Sequence, residues 1–164
     1  MIVLDCSAAV DIVRRTPKGA ILTERIFNKG PVVSSSLMHA ELASALKKYV
    51  AAGLMSREDA LGKMQLIDQL VDSYASLAPD RVEALAESMR LNHSSYDMFY
   101  FVLARHNAAT LVTLDRALAR LCEQEGVSCL GPDDLAADNV LFMSRSHDTG
   151  VQDDPGEGPD PAEG

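Results

Sequence analysis

Two rhythms alternate along this chain. Short β-prone runs recur at Ile2-Val3-Leu4, Val32-Val33, Tyr74 to Leu77, Leu111-Val112-Thr113 and Val127-Ser128-Cys129. Brief, mostly apolar runs of this kind read as strands buried on both faces. The stretches between them carry helical spacing. A helix starts at Ser7, and Pro17 opens a second with Ile21, Leu22, Ile26 and Phe27 apolar, until Gly30-Pro31 breaks it. Ser34-Ser35-Ser36 offers caps for a helix from about Leu37 to Ala52, which shows Leu42, Ala45, Leu46 and Tyr49 on one face and stops at Gly53. A further helix over Arg57 to Val71 pairs with it as a hairpin. Pro79 marks the approach to a helix over Arg81 to Arg90, and helices follow over Ser95 to His106 and Arg116 to Glu123.

Strands alternating with helices require crossover connections, so the expected fold is α/β with a mainly parallel sheet covered on both faces. At 164 residues the chain can bury a core, built mainly from Ala, Val, Leu, Ile and Met because it has no Trp and only 5% aromatic residues. No apolar run is long enough to span a bilayer. Met1 to Leu4 meets Asp5 with no basic segment before it, which predicts no signal peptide and a cytoplasmic protein. Cys6, Cys122 and Cys129 are odd in number and lack metal-knuckle spacing, so they are expected as reduced thiols.

The net charge of −9 changes the picture only through its distribution. From Asp133 onward nine acids face the single base Arg145, leaving −1 for residues 1–132. The expected organisation is one domain over 1–132 and an acidic extension over 133–164. Its Asp, Gly and Pro content predicts disorder after about residue 142. A nearly neutral body steers polyanions weakly, so nucleic-acid binding would rest on local basic patches and on metal.

Four acids stand apart from the surface pattern. Asp5 lies at the carboxyl end of the first strand and Asp115 at that of the Leu111-Val112-Thr113 strand. Glu41 falls early in the helix after the second strand, and Asp97 in the first turn of the helix from Ser95. Ligands of open parallel sheets bind outside the carboxyl ends of the strands, so these four can share one crevice. Each also has a plainer reading: Asp5 or Ser7 as a cap of the first helix, Asp115 as a cap of the helix after it, Ser94-x-x-Asp97 as a capping box. Glu41, placed beyond the first turn on a face shared with Leu37 and Ala45, is expected to need a metal, lysine or arginine partner. An all-carboxylate set suits magnesium or manganese better than zinc.

The segments Leu4-Asp5-Cys6-Ser7, Glu41-Leu42-Ala43-Ser44-Ala45-Leu46, Tyr96-Asp97-Met98-Phe99-Tyr100-Phe101-Val102-Leu103-Ala104 and Thr113-Leu114-Asp115, in this order, resemble the PIN domain. They look most like its VapC-type toxins from bacterial and archaeal toxin–antitoxin pairs. The resemblance covers about residues 1–132; the chain departs from it at Met98, where relatives often carry a small residue, and in the acidic tail, which falls outside the family pattern. It implies a three-layer α/β/α sandwich and a metal-dependent ribonuclease acting on RNA. It further implies an acidic site of Asp5, Glu41, Asp97 and Asp115 supported by Ser7 and Thr113, with Mg2+ or Mn2+ as cofactor. An antitoxin partner and a homodimer or tetramer come with it. Ser7 and Thr113 equally fit plain strand-end hydrogen bonding. Arg14, Arg15 and Lys18 are candidates for phosphate contact or an ordinary surface cluster. His39 and His93 have no partner at metal-ligand spacing and are expected to be structural or exposed. Tyr96, Tyr100 and Leu103 read as a core stripe. A non-catalytic interaction module of the same fold is the competing reading. A phospho-receiver or aspartyl phosphatase is disfavoured because Ser7 stands where a phosphatase needs its second Asp.

Overall fold

The computed structural model describes residues 1–26 and 29–135; Phe27, Asn28 and the extension from residue 136 onward lie outside the described residues. Five strands, β1 (Ile2–Leu4), β2 (Val32–Ser35), β3 (Ser73–Ala75), β4 (Thr110–Val112) and β5 (Cys129–Leu130), form one sheet in the order β3-β2-β1-β4-β5. Every pairing is parallel, with Val3 opposite both Val33 and Leu111. Seven α-helices accompany it among the described residues: α1 (Cys6–Val13), α2 (Pro17–Ile26), α3 (Met38–Ala51), α4 (Arg57–Leu66), α5 (Leu77–Leu91), α6 (Ser95–His106) and α7 (Arg116–Glu125). The result is the expected α/β/α sandwich.

The core follows from the two rhythms. Val3 and Leu4 are fully buried because helices cover both faces of β1. Helix α6 is apolar nearly all round and is correspondingly enclosed: Met98, Tyr100, Phe101, Val102 and Ala104 show no exposed surface. It packs against β1, β2 and β4 on one side and α5 on the other. Helices α1 and α2 touch so closely that a Cβ on Gly19 would stand 2.1 Å from the Asp11 carbonyl oxygen. Only glycine permits that approach, which holds α1 in place beside the sheet.

The strand order places the site. From β1 the chain steps to β2 on one side, while β4 pairs with β1 on the other. The carboxyl ends of β1 and β4 therefore flank a topological switch point, where open α/β sheets leave a crevice. The first turns of α3 and α6 rise at the same edge.

Several boundaries differ from the sequence reading. Strand β3 ends at Ala75 rather than Leu77, and α5 starts at Leu77 rather than near Arg81. Ser76 caps α5 by accepting from the Ala78 N–H. Pro79 falls in the first turn, where its missing N–H has no partner to lose. The helix after Arg57 ends at Leu66 and tightens into a 3-10 turn over Ile67–Gln69. Strand β5 lies one to two residues later than Val127-Ser128-Cys129. Leu135 is buried, and the Asp134 carboxylate accepts from the Gly131 N–H, so packing continues just past residue 132. The three cysteines are free thiols.

Candidate active site

Asp5 ends β1 and occupies the N-cap position of α1, yet its side chain makes no capping bond. Its carboxylate is buried and serves elsewhere. Asp5 Oδ2 accepts from Ser7 Oγ at 2.5 Å and from Thr113 Oγ1 at 2.6 Å. Each hydroxyl in turn accepts a backbone N–H, Ser7 from Leu114 at 2.8 Å and Thr113 from Asp115 at 3.0 Å. A hydroxyl has one proton, so the 3.2 Å separation of Ser7 Oγ and Thr113 Oγ1 is proximity and not a third bond. One oxygen of Asp5 is thus held by a two-hydroxyl cradle, and Oδ1 keeps its capacity to accept. The supporting and the strand-end readings of Ser7 and Thr113 describe the same bonds.

The other three acids are held differently. Asp115 does cap α7: Oδ1 accepts from the N–H groups of Ala117 at 2.6 Å and Leu118 at 3.0 Å. Glu41 lies within the first turn of α3, not beyond it, because the helix begins at Met38. Its partner is neither lysine nor arginine but Tyr100, whose hydroxyl donates to Oε2 at 2.6 Å. Asp97 lies in the first turn of α6, and the expected capping box does not form, since Ser94 makes no side-chain cap bond. Instead His93 Nε2 sits 3.0 Å from Asp97 Oδ2, close enough for an ion pair but off the line of a hydrogen bond.

Tyr100 and His93 are the site neighbours that sequence reasoning missed. The i, i+4 spacing of His93 and Asp97 was the available signal for one. The core stripe also needs correction. Tyr100 and Leu103 are buried, but Tyr96 is 58% exposed and lines the crevice, because the start of α6 projects past the sheet edge. His39 is half exposed and rests on the ring of Tyr74.

Asp5, Ser7, Glu41, Asp97 and Asp115 line one crevice of about 1030 Å³, at the upper end of ordinary ligand pockets. Thr113 stands fully buried behind them. Burial pushes the Asp5 carboxyl up against the lowering effect of its hydroxyl donors. Burial also raises Glu41, opposed by Tyr100 and assisted by the charges of Asp5 and Asp97. Asp97 is pushed up to about 6, by burial first and then by the charge of Asp5. Glu41 thus registers the charges of Asp5 and Asp97, and Asp97 those of Asp5 and Asp115, so the acids are electrostatically linked. Among the described residues no lysine or arginine pairs with any of them, and His93 is the basic side chain that contacts Asp97.

Such a set calls for a cation. As placed, no three of the His, Cys, Asp and Glu side chains among the described residues stand close enough to enclose an ion. Hard divalent cations such as magnesium keep several waters and are commonly bound by one or two carboxylates plus substrate phosphate. The donor set is all oxygen, and Asp5 Oδ1 and Asp97 are placed to contribute.

A thermodynamic consequence follows. A carboxyl whose pKa rises on folding keeps a proton that the unfolded chain has already lost. Between 3.8 and about 6, Asp97 therefore costs stability as pH increases. The metal-free protein is expected to melt higher at pH 5 than at pH 7.5. Millimolar magnesium or manganese should raise the melting temperature by several degrees at pH 7.5 and by less at pH 5, where protons compete. Differential scanning fluorimetry with EDTA and with each metal checks this, and no metal shift at pH 7.5 would count against the site.

Comparison with known proteins gives a consistent picture. The PIN domain family model matches residues 2–124. Ribonuclease VapC1 of Mycobacterium tuberculosis is 27% identical over 127 residues, covering 77% of this chain and 92% of that protein. Among solved structures, PAE2754 from Pyrobaculum aerophilum superposes with a TM-score of 0.63 at 18% identity, covering 85% of this chain and 95% of the other. VapBC2 from Rickettsia felis, bound to a DNA fragment from its promoter, gives 0.60 at 17% identity over 80% and 98% of the two chains. Those two structural likenesses establish the fold.

Proposed function

The chain belongs to the PIN-domain family, and from that premise we propose that it is a metal-dependent endoribonuclease, the toxin of a toxin–antitoxin pair. The observation that carries this reading is the buried Asp5 carboxylate. It is cradled by two hydroxyls and joined in one crevice by Glu41, Asp97 and Asp115, and among the described residues no lysine or arginine pairs with any of the four. A surface cluster of acids would not need such a cradle. The likeness to a ribonuclease of M. tuberculosis supports RNA as substrate, and the likeness to VapBC2 supports an antitoxin partner.

In this mechanism Asp5 and Asp97 would hold magnesium or manganese most directly, and Glu41 and Asp115 would complete the acidic shell. Bound metal supplies an activated water and positive charge to set against that developing on the phosphate. The rest is done by the chain. Ser7 and Thr113 fix the orientation of Asp5 through Oδ2, Tyr100 holds Glu41 at the crevice wall, and His93 keeps Asp97 turned toward the same space. Burial of these groups lowers the local dielectric, which strengthens every charge interaction made there.

No helix among the described residues is long and apolar enough to cross a membrane, and we assign the protein to the cytoplasm. Val82, Leu85 and Met89 form an exposed apolar stripe on α5, which supports self-association as a homodimer or tetramer.

The direct test is incubation of total RNA with the protein in magnesium or manganese, beside an EDTA control and Asp97→Asn. Discrete cleavage lost in both controls is expected. Full activity of Asp97→Asn would remove that residue from the site. Absence of both cleavage and metal binding would favour a non-catalytic interaction module.

A further inference from the structure

The crevice does not end at the acids. Beyond Glu41 its wall follows α3 through Ser44, Ala45 and Lys48 to Tyr49 and Ala52. These positions recur every three to four residues and so form one stripe of the helix. Lys48 lies seven residues past Glu41, about 10 Å along the axis. Arg14, the C-cap residue of α1, stands over Tyr49 at this end of the stripe. Its guanidinium carbon lies 3.9 Å from the centroid of the Tyr49 ring, and Nη1 donates to the Tyr49 hydroxyl at 2.9 Å. Among the described residues neither Lys48 nor Arg14 forms an ion pair. The acid of α1 along this stretch, Asp11, is engaged by the Thr16 hydroxyl at 2.5 Å. Arg15 lines a different cavity, with Val32 and Leu70.

The groove is therefore bipolar. One end is acidic, the α3 wall between is small and uncharged with the α1 acid Asp11 held by Thr16, and at the far end stand Lys48 and the Tyr49-stacked Arg14, neither in an ion pair among the described residues. We propose that Lys48 and Arg14, steadied by Tyr49, form a phosphate seat for single-stranded RNA whose scissile phosphate lies at the acids. This inference rests on the ribonuclease reading and extends it to how the substrate strand is held. A polyanion gains nothing from bare carboxylates except where cations bridge it, so the phosphates flanking the scissile one need positive charge at a fixed distance along the groove. The stack on Tyr49 restricts the guanidinium before RNA arrives, so less freedom is lost on binding, and its remaining N–H donors stay available. A groove shaped for a peptide segment would not require the two cations at its far end.

Lys47 provides an internal control. It is exposed like Lys48, adjacent in sequence and identical in charge, but it does not line the groove. The experiment measures binding of a fluorescein-labelled ten-nucleotide RNA by anisotropy, on full-length protein carrying Asp97→Asn, in magnesium, across a salt series. Lys48→Gln is expected to weaken binding about 3- to 10-fold and to lower the log–log salt slope by about 0.7, the value for one lost single-strand phosphate contact. Lys47→Gln should change affinity less than about twofold and leave the slope unchanged. Arg14→Gln should follow Lys48→Gln, with its melting temperature recorded because it also packs on Tyr49.

Equal behaviour of the Lys47 and Lys48 variants overturns the seat and assigns the far end of the groove to a protein partner. Wild-type cleavage of total RNA is scored separately. A cleaving wild type with an unchanged Lys48→Gln slope refutes the seat and leaves the ribonuclease standing. A reduced slope in a protein that never cleaves supports the seat and refutes the nuclease.

Discussion

Replacing Asp5 by asparagine is expected to lower RNA cleavage by at least about 100-fold, the scale on which preorganised electrostatic groups act. The same change should raise the melting temperature of the metal-free protein at pH 7.5. The two effects have one origin. Asp5 is buried, and burial pushes its carboxyl up, so carrying its charge at neutral pH costs stability. Asparagine keeps the shape and can present its carbonyl oxygen to Ser7 and Thr113, leaving both hydroxyl bonds in place. It then turns an uncharged amide toward the crevice, relieving repulsion against Glu41 and Asp97 and removing a metal ligand. Cleavage assays paired with fluorimetry read both outcomes. Loss of activity with a lower melting temperature would make Asp5 a structural residue. Retained activity would remove it from the site.

This opposition between stability and activity also explains what the sequence disclosed. The order of strands and helices was legible because each strand is a short buried run and each helix keeps its period. Where the ends went astray, local chemistry outweighed pattern. Pro79 in the sequence suggests a helix start, but a proline is equally at home at the third helical position once Ser76 supplies the cap. Isolated acids at strand ends were legible for the same reason, since Asp5 and Asp115 interrupt or follow runs that are otherwise apolar. Their partners were not. Tyr100 lies 59 residues from Glu41 and Thr113 lies 108 from Asp5, and such contacts exist only once the sheet is assembled. Tyr96 misled because helical spacing assigns a face but not the depth at which a helix end projects.

Asp115 shows that a capping acid and a site acid need not be alternatives. One oxygen satisfies the start of α7, while the residue still lines the crevice. The cap holds the carboxylate in one orientation, and that rigidity is what a metal site needs from its ligands. Glu41 behaves in parallel, with the Tyr100 hydroxyl in place of helix N–H groups. Each acid thus has at least one protein bond or close contact that orients it through one oxygen, leaving capacity toward the crevice.

Thr113→Val tests that arrangement where it is most interdependent. Valine matches threonine in shape but neither donates to Asp5 nor accepts from the Asp115 N–H. The variant is expected to lose about 1–3 kcal/mol of stability, the cost of a buried hydrogen-bonding group left unpaired. Cleavage should fall about 10- to 100-fold, as is typical when the support of a metal ligand is removed. Lower stability alone would not identify a positioning role, so the decisive readout is pH. The hydroxyl donors hold the Asp5 carboxyl down against burial. Removing one raises its pKa further, and protons then compete with metal at higher pH. The midpoint pH of the metal-induced melting shift should move upward in Thr113→Val and return in Thr113→Ser, which restores the hydroxyl. Ser7→Ala should act in the same direction, because both hydroxyls serve the same oxygen. The double variant should depart from the sum of the two, as expected of residues sharing one partner. A midpoint that stays put in Thr113→Val, with stability lowered, would reduce Thr113 to a strand-end anchor and leave Asp5 oriented by Ser7 alone.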